Sequence, residues 1–308
     1  MNNPRPQSST RVGAHTNLAQ ETRSILRTYH VHPREQLGQN FLIDSEALES
    51  VVRAADLSPG QQVLEVGPGI GTLTRALAET NAQVVALELD EAMARIAAAR
   101  TAEYPNVQVR EGNVLHTNLG EILDVRSDFS VVANIPYYIT APILRLFLEG
   151  AHRPKTLVLM VQREVGERLA AAPGKMSALS VFSQLYANVE IIRHVPATSF
   201  MPAPEVASTI IRLTVHEELP VPEGELPYFF TIVRAGFGSK RKMIHNALDR
   251  ALPNSGVVID EALAQVGVER TRRAETLSIA EWRALSLALR RDIEHLPKSM
   301  RTSIDSVT

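Results

Sequence analysis

Apolar positions along this chain follow one rhythm over the first two thirds and another over the last third. Gln62-Val63-Leu64-Glu65-Val66 predicts a strand, Gly67-Pro68-Gly69-Ile70-Gly71 a loop, and Thr72 to Thr80 a helix. The alternation continues with a strand over Ala82 to Leu89, an Ala-rich helix over Glu91 to Arg100 and a strand over Val107 to Arg110. Phe129, Val131, Val132 and Ala133 form an apolar run that predicts a buried strand ending in Asn134-Ile135-Pro136-Tyr137. Pro142 then suits the first turn of a helix through Phe147. Thr156 to Val161 predicts a strand, and Gln162 to Ala171 and Ser177 to Ala187 predict helices. Val189 to His194 and Ser208 to Val215 then close the sheet as an antiparallel pair. Upstream, Ala47, Leu48, Val51, Val52 and Ala55 make one helical stripe behind a cap at Asp44 or Ser45, and Glu21 to Tyr29 is a short helix. Strands alternating with helices predict an α/β fold with a doubly wound, mostly parallel sheet.

A proline-rich acidic link, Glu217 to Pro227, ends that rhythm. Only helical spacing follows, over Tyr228 to Phe237, Met243 to Leu252, Asp260 to Gly267 and Ile279 to Arg290. The expected organisation is a disordered tail over 1–21, a sheet domain over 22–217, a small helical domain over 218–297 and a frayed tail over 298–308. A length of 308 residues agrees with about two domains of ~150 residues each.

Composition narrows the chemistry. The chain has no cysteine, which removes disulfides, thiolate metal sites and cysteine nucleophiles, and fits a reducing cytoplasm. Met1 to Gln20 is polar and lacks the apolar segment of a signal peptide, and no later run is long enough to cross a bilayer. A cytoplasmic chain without a membrane partner is therefore expected. Its histidines are scattered without ligand spacing, so no metal is expected. A net charge of −2 gives no global attraction to polyanions, so any nucleic acid must be held by local patches.

Two stretches carry candidate chemistry. Pro136 lacks an amide hydrogen and drives Ile135 out of the helical region, so the backbone turns sharply past a strand end. Ligands of open α/β sheets sit at such ends. The turn offers the Asn134 amide, carbonyls at Ile135 and Pro136 and the Tyr137 ring, a set suited to a planar ring bearing an amine. The second stretch places glycines between a strand and a helix, with Glu88 ending the next strand at the spacing of a ribose-gripping carboxylate. Glu65, just ahead of Gly67, would repel a diphosphate and tolerate a cation. That favours S-adenosylmethionine over a dinucleotide.

Taken together, these residues resemble the ribosomal RNA adenine dimethyltransferase family, and within it the small-subunit branch. The resemblance rests on G-Q-N-F-L at Gly38 to Leu42, E-V-G-P-G-I-G-T-L-T from Glu65, and Glu88. It extends through E-G-N-V-L at Glu111 to Leu115, N-I-P-Y-Y-I-T at Asn134 to Thr140, and F-M-P-A-P-E-V-A-S at Phe200 to Ser208. It implies a Rossmann-like class I methyltransferase sheet with a small helical C-terminal domain. It also implies dimethylation of adenine N6 on two adjacent adenosines near the 3' end of 16S rRNA, within a small ribosomal subunit precursor, by a monomer. By motif, Asn40 and Leu42 would contact S-adenosylmethionine, Gly67 and Gly69 would pass under its methionine portion, and Glu88 would hold its ribose. Asn113 stands where the family usually has an acid that bonds the donor adenine, which removes charge assistance from that bond.

Adenine's exocyclic amine is too weak an acid for a side-chain base, so acceptors take that role. Asn134 and the carbonyl of Ile135 or Pro136 would aim the amine's lone pair, while Tyr137 stacks on the extruded base and Phe200 closes its other face. In the helical part, Lys240, Arg241 and Lys242 precede a helix, where a bound phosphate would offset the repulsion of cations by the dipole. Arg234, Arg270, Arg272 and Arg273 would extend that RNA-binding patch. The rival readings are a large-subunit (23S) methyltransferase of the antibiotic-resistance type, a noncatalytic nucleic-acid-binding relative, and a nicotinamide oxidoreductase.

Overall fold

The computed structural model describes residues 17–239, 241–252 and 256–290. In chain order the first part holds α1 (Leu18–Thr28), β1 (Phe41–Leu42), α2 (Ser45–Ala55), β2 (Gln62–Val66), α3 (Thr72–Ala78), β3 (Gln83–Glu88), α4 (Glu91–Arg100) and β4 (Val107–Glu111). There follow β5 (Phe129–Asn134), α5 (Thr140–Glu149), β6 (Thr156–Gln162), α6 (Arg163–Leu169), α7 (Ala178–Tyr186), β7 (Ala187–Val195), β8 (Phe200–Met201) and β9 (Ser208–Val215). The last part holds α8 (Leu226–Phe237), α9 (Ile244–Ala251), α10 (Gly256–Gln265) and α11 (Ile279–Ala288).

Seven strands form one sheet in the order β4-β3-β2-β5-β6-β9-β7. The strands from β4 to β6 are parallel, while β9 runs antiparallel to both β6 and β7. Chain order reverses between β2 and β5, so the crevice at their carboxyl ends is the switch point where such sheets bind ligands. A separate two-stranded ribbon joins β1 to β8, pairing Leu42 with Phe200.

Strand pleating sends alternate residues to opposite faces. Val63, Val84, Val132 and Met160 pack with α2 and α3 on one face. Leu64, Val66, Val131 and Leu159 face the other way, in a cluster that continues through Phe182 to Phe229 and Trp282 of the C-terminal helices. The sheet and the helical part therefore share one apolar core across the link. That link is itself held: Val221 is buried, Arg153 pairs with Glu223 and Arg283 with Glu225. Truncating the fully buried Trp282 removes a shared anchor, at about 3–5 kcal/mol.

Boundaries shift where caps decide. α1 starts at Leu18, inside the tail expected over 1–21, because the Asn17 side chain accepts from Gln20 N at 3.2 Å. Asp44 caps α2 through Ala47 N, which settles the choice between Asp44 and Ser45. α10 begins at Gly256, ahead of the expected Asp260. Most of the N-terminal tail, and the tail expected over 298–308, lie outside the described residues. Among the described residues no helix is long and apolar enough to cross a membrane.

Candidate functional site

The carboxyl ends of β2, β3 and β5 open into a cavity of about 250 Å³. Asn40, Leu42, Gly67, Gly69, Glu88, Asn113 and Asn134, separated widely in sequence, all line it, and so does Pro136. Two candidates do not. Tyr137 is half-buried and its hydroxyl hydrogen-bonds Ser208 Oγ at 2.7 Å, while Phe200 is buried beside Leu42 and Met160.

The loop after β2 forms the first edge. Gly67 has φ of 71°, and a Cβ there would meet nothing within 4 Å, so its bare backbone faces open space that a ligand can approach. Gly67 N donates to Leu87 O at 2.9 Å, tying the loop to the neighbouring strand. Glu88 Oε2 accepts from Gly69 N at 2.8 Å and Oε1 from Asp90 N at 3.0 Å. Burial raises the Glu88 carboxyl above the usual range in spite of those bonds. A carboxylate oxygen can accept a second hydrogen bond, so Glu88, which lines the cavity, suits a pair of ribose hydroxyls. Behind the loop, the Arg100 guanidinium donates to the Ile70 carbonyl and to Glu21 of α1.

Glu65 presents the opposite case. It lies on the face of β2 shared with Val63, lines the cavity and is 1% exposed. Among the described residues neither carboxyl oxygen has a hydrogen-bond partner, and the nearby Thr74 hydroxyl has none either. Burial pushes the Glu65 carboxyl up to about 8; Thr74 works against that shift and the Glu88 charge adds to it. Thr74 has the weaker claim, because its hydroxyl falls short of hydrogen-bond geometry.

Residues 37–42 line the cavity as a strap. Arg34 pairs with Asp90 at 2.9 Å, and Gln39 Nε2 reaches the same carboxylate at 3.4 Å. At Gly38, with φ of 61°, a Cβ would stand 2.8 Å from Pro136 Cβ, so only glycine lets the strap meet the turn after β5. Asn134 Nδ2 donates to Asn40 O at 3.4 Å, which leaves Asn134 Oδ1 as the free end of the amide. In the turn, Pro136 O accepts from Ile139 N at 3.2 Å. Among the described residues no backbone N–H reaches the Ile135 carbonyl, so of the two carbonyls considered from sequence, this is the open acceptor. Tyr138, not Tyr137, lines the mouth, and it is 61% exposed. Asn113 Oδ1 accepts from Leu115 N at 3.0 Å and keeps one lone pair.

These side chains fit S-adenosylmethionine. Among the described residues the ionisable groups of the lining are Glu65, Glu88 and Tyr138, with no lysine, arginine or histidine. Such a wall suits a cation and opposes a diphosphate. The Glu88 oxygens and the Gly67 backbone suit its nucleoside and methionine parts. Among the described residues no His/Cys/Asp/Glu group could hold a metal ion.

The basic candidates divide. Lys240 lies outside the described residues. Arg241 and Lys242 are exposed in the turn before α9, and exposed Arg273 is next to them through the Met243–Arg273 bridge. Arg272 is instead engaged by Glu281 and by the Thr276 carbonyl at 2.6 Å, and Arg270 pairs with Asp260 at 3.5 Å. Arg234 is half-buried, its Nε donating to Phe230 O at 3.4 Å. Sequence reasoning missed Arg34, Arg100 and the Gly38–Pro136 contact. The glycine in G-Q-N-F-L was the one available signal; the arginines act on partners distant in the chain.

Known proteins resemble this chain in sequence and fold. A family model described as "Ribosomal RNA adenine dimethylase" matches residues 31–289. A protein of Geobacillus kaustophilus named "Ribosomal RNA small subunit methyltransferase A" is 41% identical over 278 residues, 87% of this chain and 94% of that one. Its namesake from Dehalococcoides mccartyi strain 195 is 38% identical over 270 residues, 88% of this chain and 93% of that one. The crystal structure of a dimethyladenosine transferase from Plasmodium falciparum superposes with a TM-score of 0.71 at 25% identity, over 82% of this chain and 98% of that one. The 23S rRNA methyltransferase ErmE superposes at 0.68 and 28% identity, over 82% of this chain and 100% of that one.

Proposed function

This chain belongs to the ribosomal RNA adenine dimethylase family, and on that premise we propose that it dimethylates N6 of two adjacent adenosines near the 3' end of 16S rRNA. S-adenosylmethionine, the donor, supplies an electrophilic methyl group on a positively charged sulfur. One observation carries the reading. Among the described residues, a single cavity joins a glycine and carboxylate cradle to two unspent acceptors, Asn134 Oδ1 and the Ile135 carbonyl.

In this reading Asn40 and Leu42 contact the donor from the strap, Gly67 and Gly69 approach its methionine portion, Glu88 holds its ribose and Asn113 accepts from its adenine amine. Asn134 Oδ1 and the Ile135 carbonyl accept the two N–H bonds of the target amine. That draws its nitrogen toward tetrahedral geometry and aims the lone pair at the methyl group. The proton leaves to water after attack, so no side chain has to remove it first. Pro136 fixes the turn. Ser208 holds the Tyr137 ring in one orientation for stacking on the base from outside the donor cavity, and Phe200 closes the other face only if it moves out of its core position. Arg241 and Lys242, with Lys240 and Arg234, hold the RNA backbone. The proposed substrate is 16S rRNA within a small-subunit precursor, met in the cytoplasm by a single copy of the chain.

The ErmE likeness makes a large-subunit adenine the competing substrate. Labelled methyl transfer to both subunits separates the two, with Asn134→Ala as control. Incorporation into small-subunit particles, mapping to two neighbouring dimethyladenosines, is the expected outcome. Incorporation into large-subunit RNA alone would sink the proposal.

A further inference from the structure

A carboxyl buried without any partner needs an explanation, because an isolated charge in such a place is strongly disfavoured. Among the described residues Glu65 is the one acid of the cavity in this condition, since Glu88 is held by backbone N–H groups of Gly69 and Asp90. No basic side chain among the described residues lines the cavity to neutralise it. The charged groups of the packed elements are committed elsewhere. On α2, Glu46 pairs with Arg193 at 2.7 Å and Glu49 with Arg53 at 3.2 Å. On α3, Arg75 pairs with Glu21 at 3.3 Å, and past β3 Asp90 pairs with Arg34 at 2.9 Å. The register neighbours of Glu65 on the two flanking strands, Ala86 and Val132, carry no charge. Glu88 is left as the one ionisable neighbour, and its like charge disfavours ionisation of Glu65.

We infer that Glu65 is a neutral carboxylic acid until the methyl donor binds, and that the donor's positive charge expels its proton, so that donor uptake releases a proton to solvent. This rests on the reading that the cavity takes S-adenosylmethionine. The step balances simply: one proton passes from the Glu65 carboxyl to buffer, and the carboxylate that remains pairs with the cationic ligand. A value near 8 before binding leaves most of the chain with a proton to lose at pH 7. The acid would then select for charge, since a neutral ligand cannot drive the release.

Titration calorimetry of the full chain tests this. S-adenosylmethionine is titrated at pH 7 in phosphate and in Tris, whose ionisation heats differ. The expected result is a buffer-dependent heat approaching one proton released per donor. Affinity should rise between pH 6 and pH 7.5 by up to about tenfold per unit. Glu65→Gln should remove both effects and weaken binding at pH 7.5 by about tenfold. S-adenosylhomocysteine keeps the ammonium and lacks the sulfonium. Release with both ligands assigns the effect to the ammonium, release with the donor alone to the sulfonium, and either supports the inference. Donor binding without release, or release that persists in Glu65→Gln, overturns it. Should the variant not fold, the wild-type buffer pair still decides. No donor binding at any pH would instead sink the reading of the cavity itself.

Discussion

The two edges of the cavity are built in opposite ways. On the glycine-loop edge the backbone is braced: Gly67 N is bonded to Leu87 O, Gly69 N to Glu88, and the Ile70 carbonyl to Arg100. On the edge made by the turn after β5, acceptors are left open: among the described residues Asn134 Oδ1 and the Ile135 carbonyl have no partner, and Tyr138 is exposed. A binding surface gains from preorganisation, because groups already fixed lose little entropy when ligand arrives. A reacting surface needs unspent hydrogen-bonding capacity directed at the atom that changes. The braced edge is therefore the proposed donor cradle and the open edge the proposed chemical one.

The largest effect that would break this contrast is expected at Asn134. Asn134→Ala should lower kcat by about a hundredfold to a thousandfold, the scale of losing one preorganised polar group. Donor affinity should fall far less, since Asn134 is one of many lining residues; equal losses in donor Kd and kcat would erase the distinction between the edges. Next in size, Arg241→Glu with Lys242→Glu should leave both edges intact and weaken RNA binding by about tenfold or more at physiological salt. The salt slope of binding should flatten by about two. An unchanged slope would remove the patch from the interface.

Gly38→Ala tests the junction of the edges, because its new Cβ would meet Pro136 at 2.8 Å with φ at 61°. Overpacking of this kind costs about 1–3 kcal/mol, and donor Kd should rise with the loss of thermal stability. Retained donor affinity would mean that the strap is not part of the cradle. A smaller effect concerns Glu65. Its folded value near 8 lies above the 4.5 of the free carboxyl, so the folded state holds the extra proton between those values and donor-free stability falls as pH rises through that window. Glu65→Gln should remove this slope and raise Tm by a few degrees at pH 8 relative to wild type, with little gain near pH 5. A Tm gap independent of pH would exclude the buried ionisation. The smallest change is Asn113→Asp, which should tighten donor binding a fewfold by restoring charge assistance, as calorimetry would read.

The legible features were those whose determinants lie close together in the chain. The strand, glycine loop, helix and Glu88 follow one another within about one βαβ unit, so spacing alone placed them. The turn at Asn134 to Tyr137 was readable for the same reason, since Pro136 restricts its own and the preceding residue. Sequence pattern also separated the helical third from the sheet. It did not show that both share one core, because Phe182, Phe229 and Trp282 meet only after the chain has folded back.

Direction was the part that local pattern could not give. Sequence offered Tyr137 as an aromatic face, and only packing turned its hydroxyl to Ser208 and left Tyr138 at the mouth. Phe200 looked like a stacking partner, and its pairing beside Leu42 put it in the core. Pro136 and Ile135 offered two carbonyls, and the hydrogen bond from Ile139 occupied one of them. The sequence by itself determined which backbone and side-chain groups reach the rim of the sheet, because that follows from strand length, glycine spacing and proline restriction. Tertiary structure alone decided which of those groups are already bonded and which remain free, since a partner such as Arg100, Arg34 or Ser208 comes from residues that only the closed core brings near.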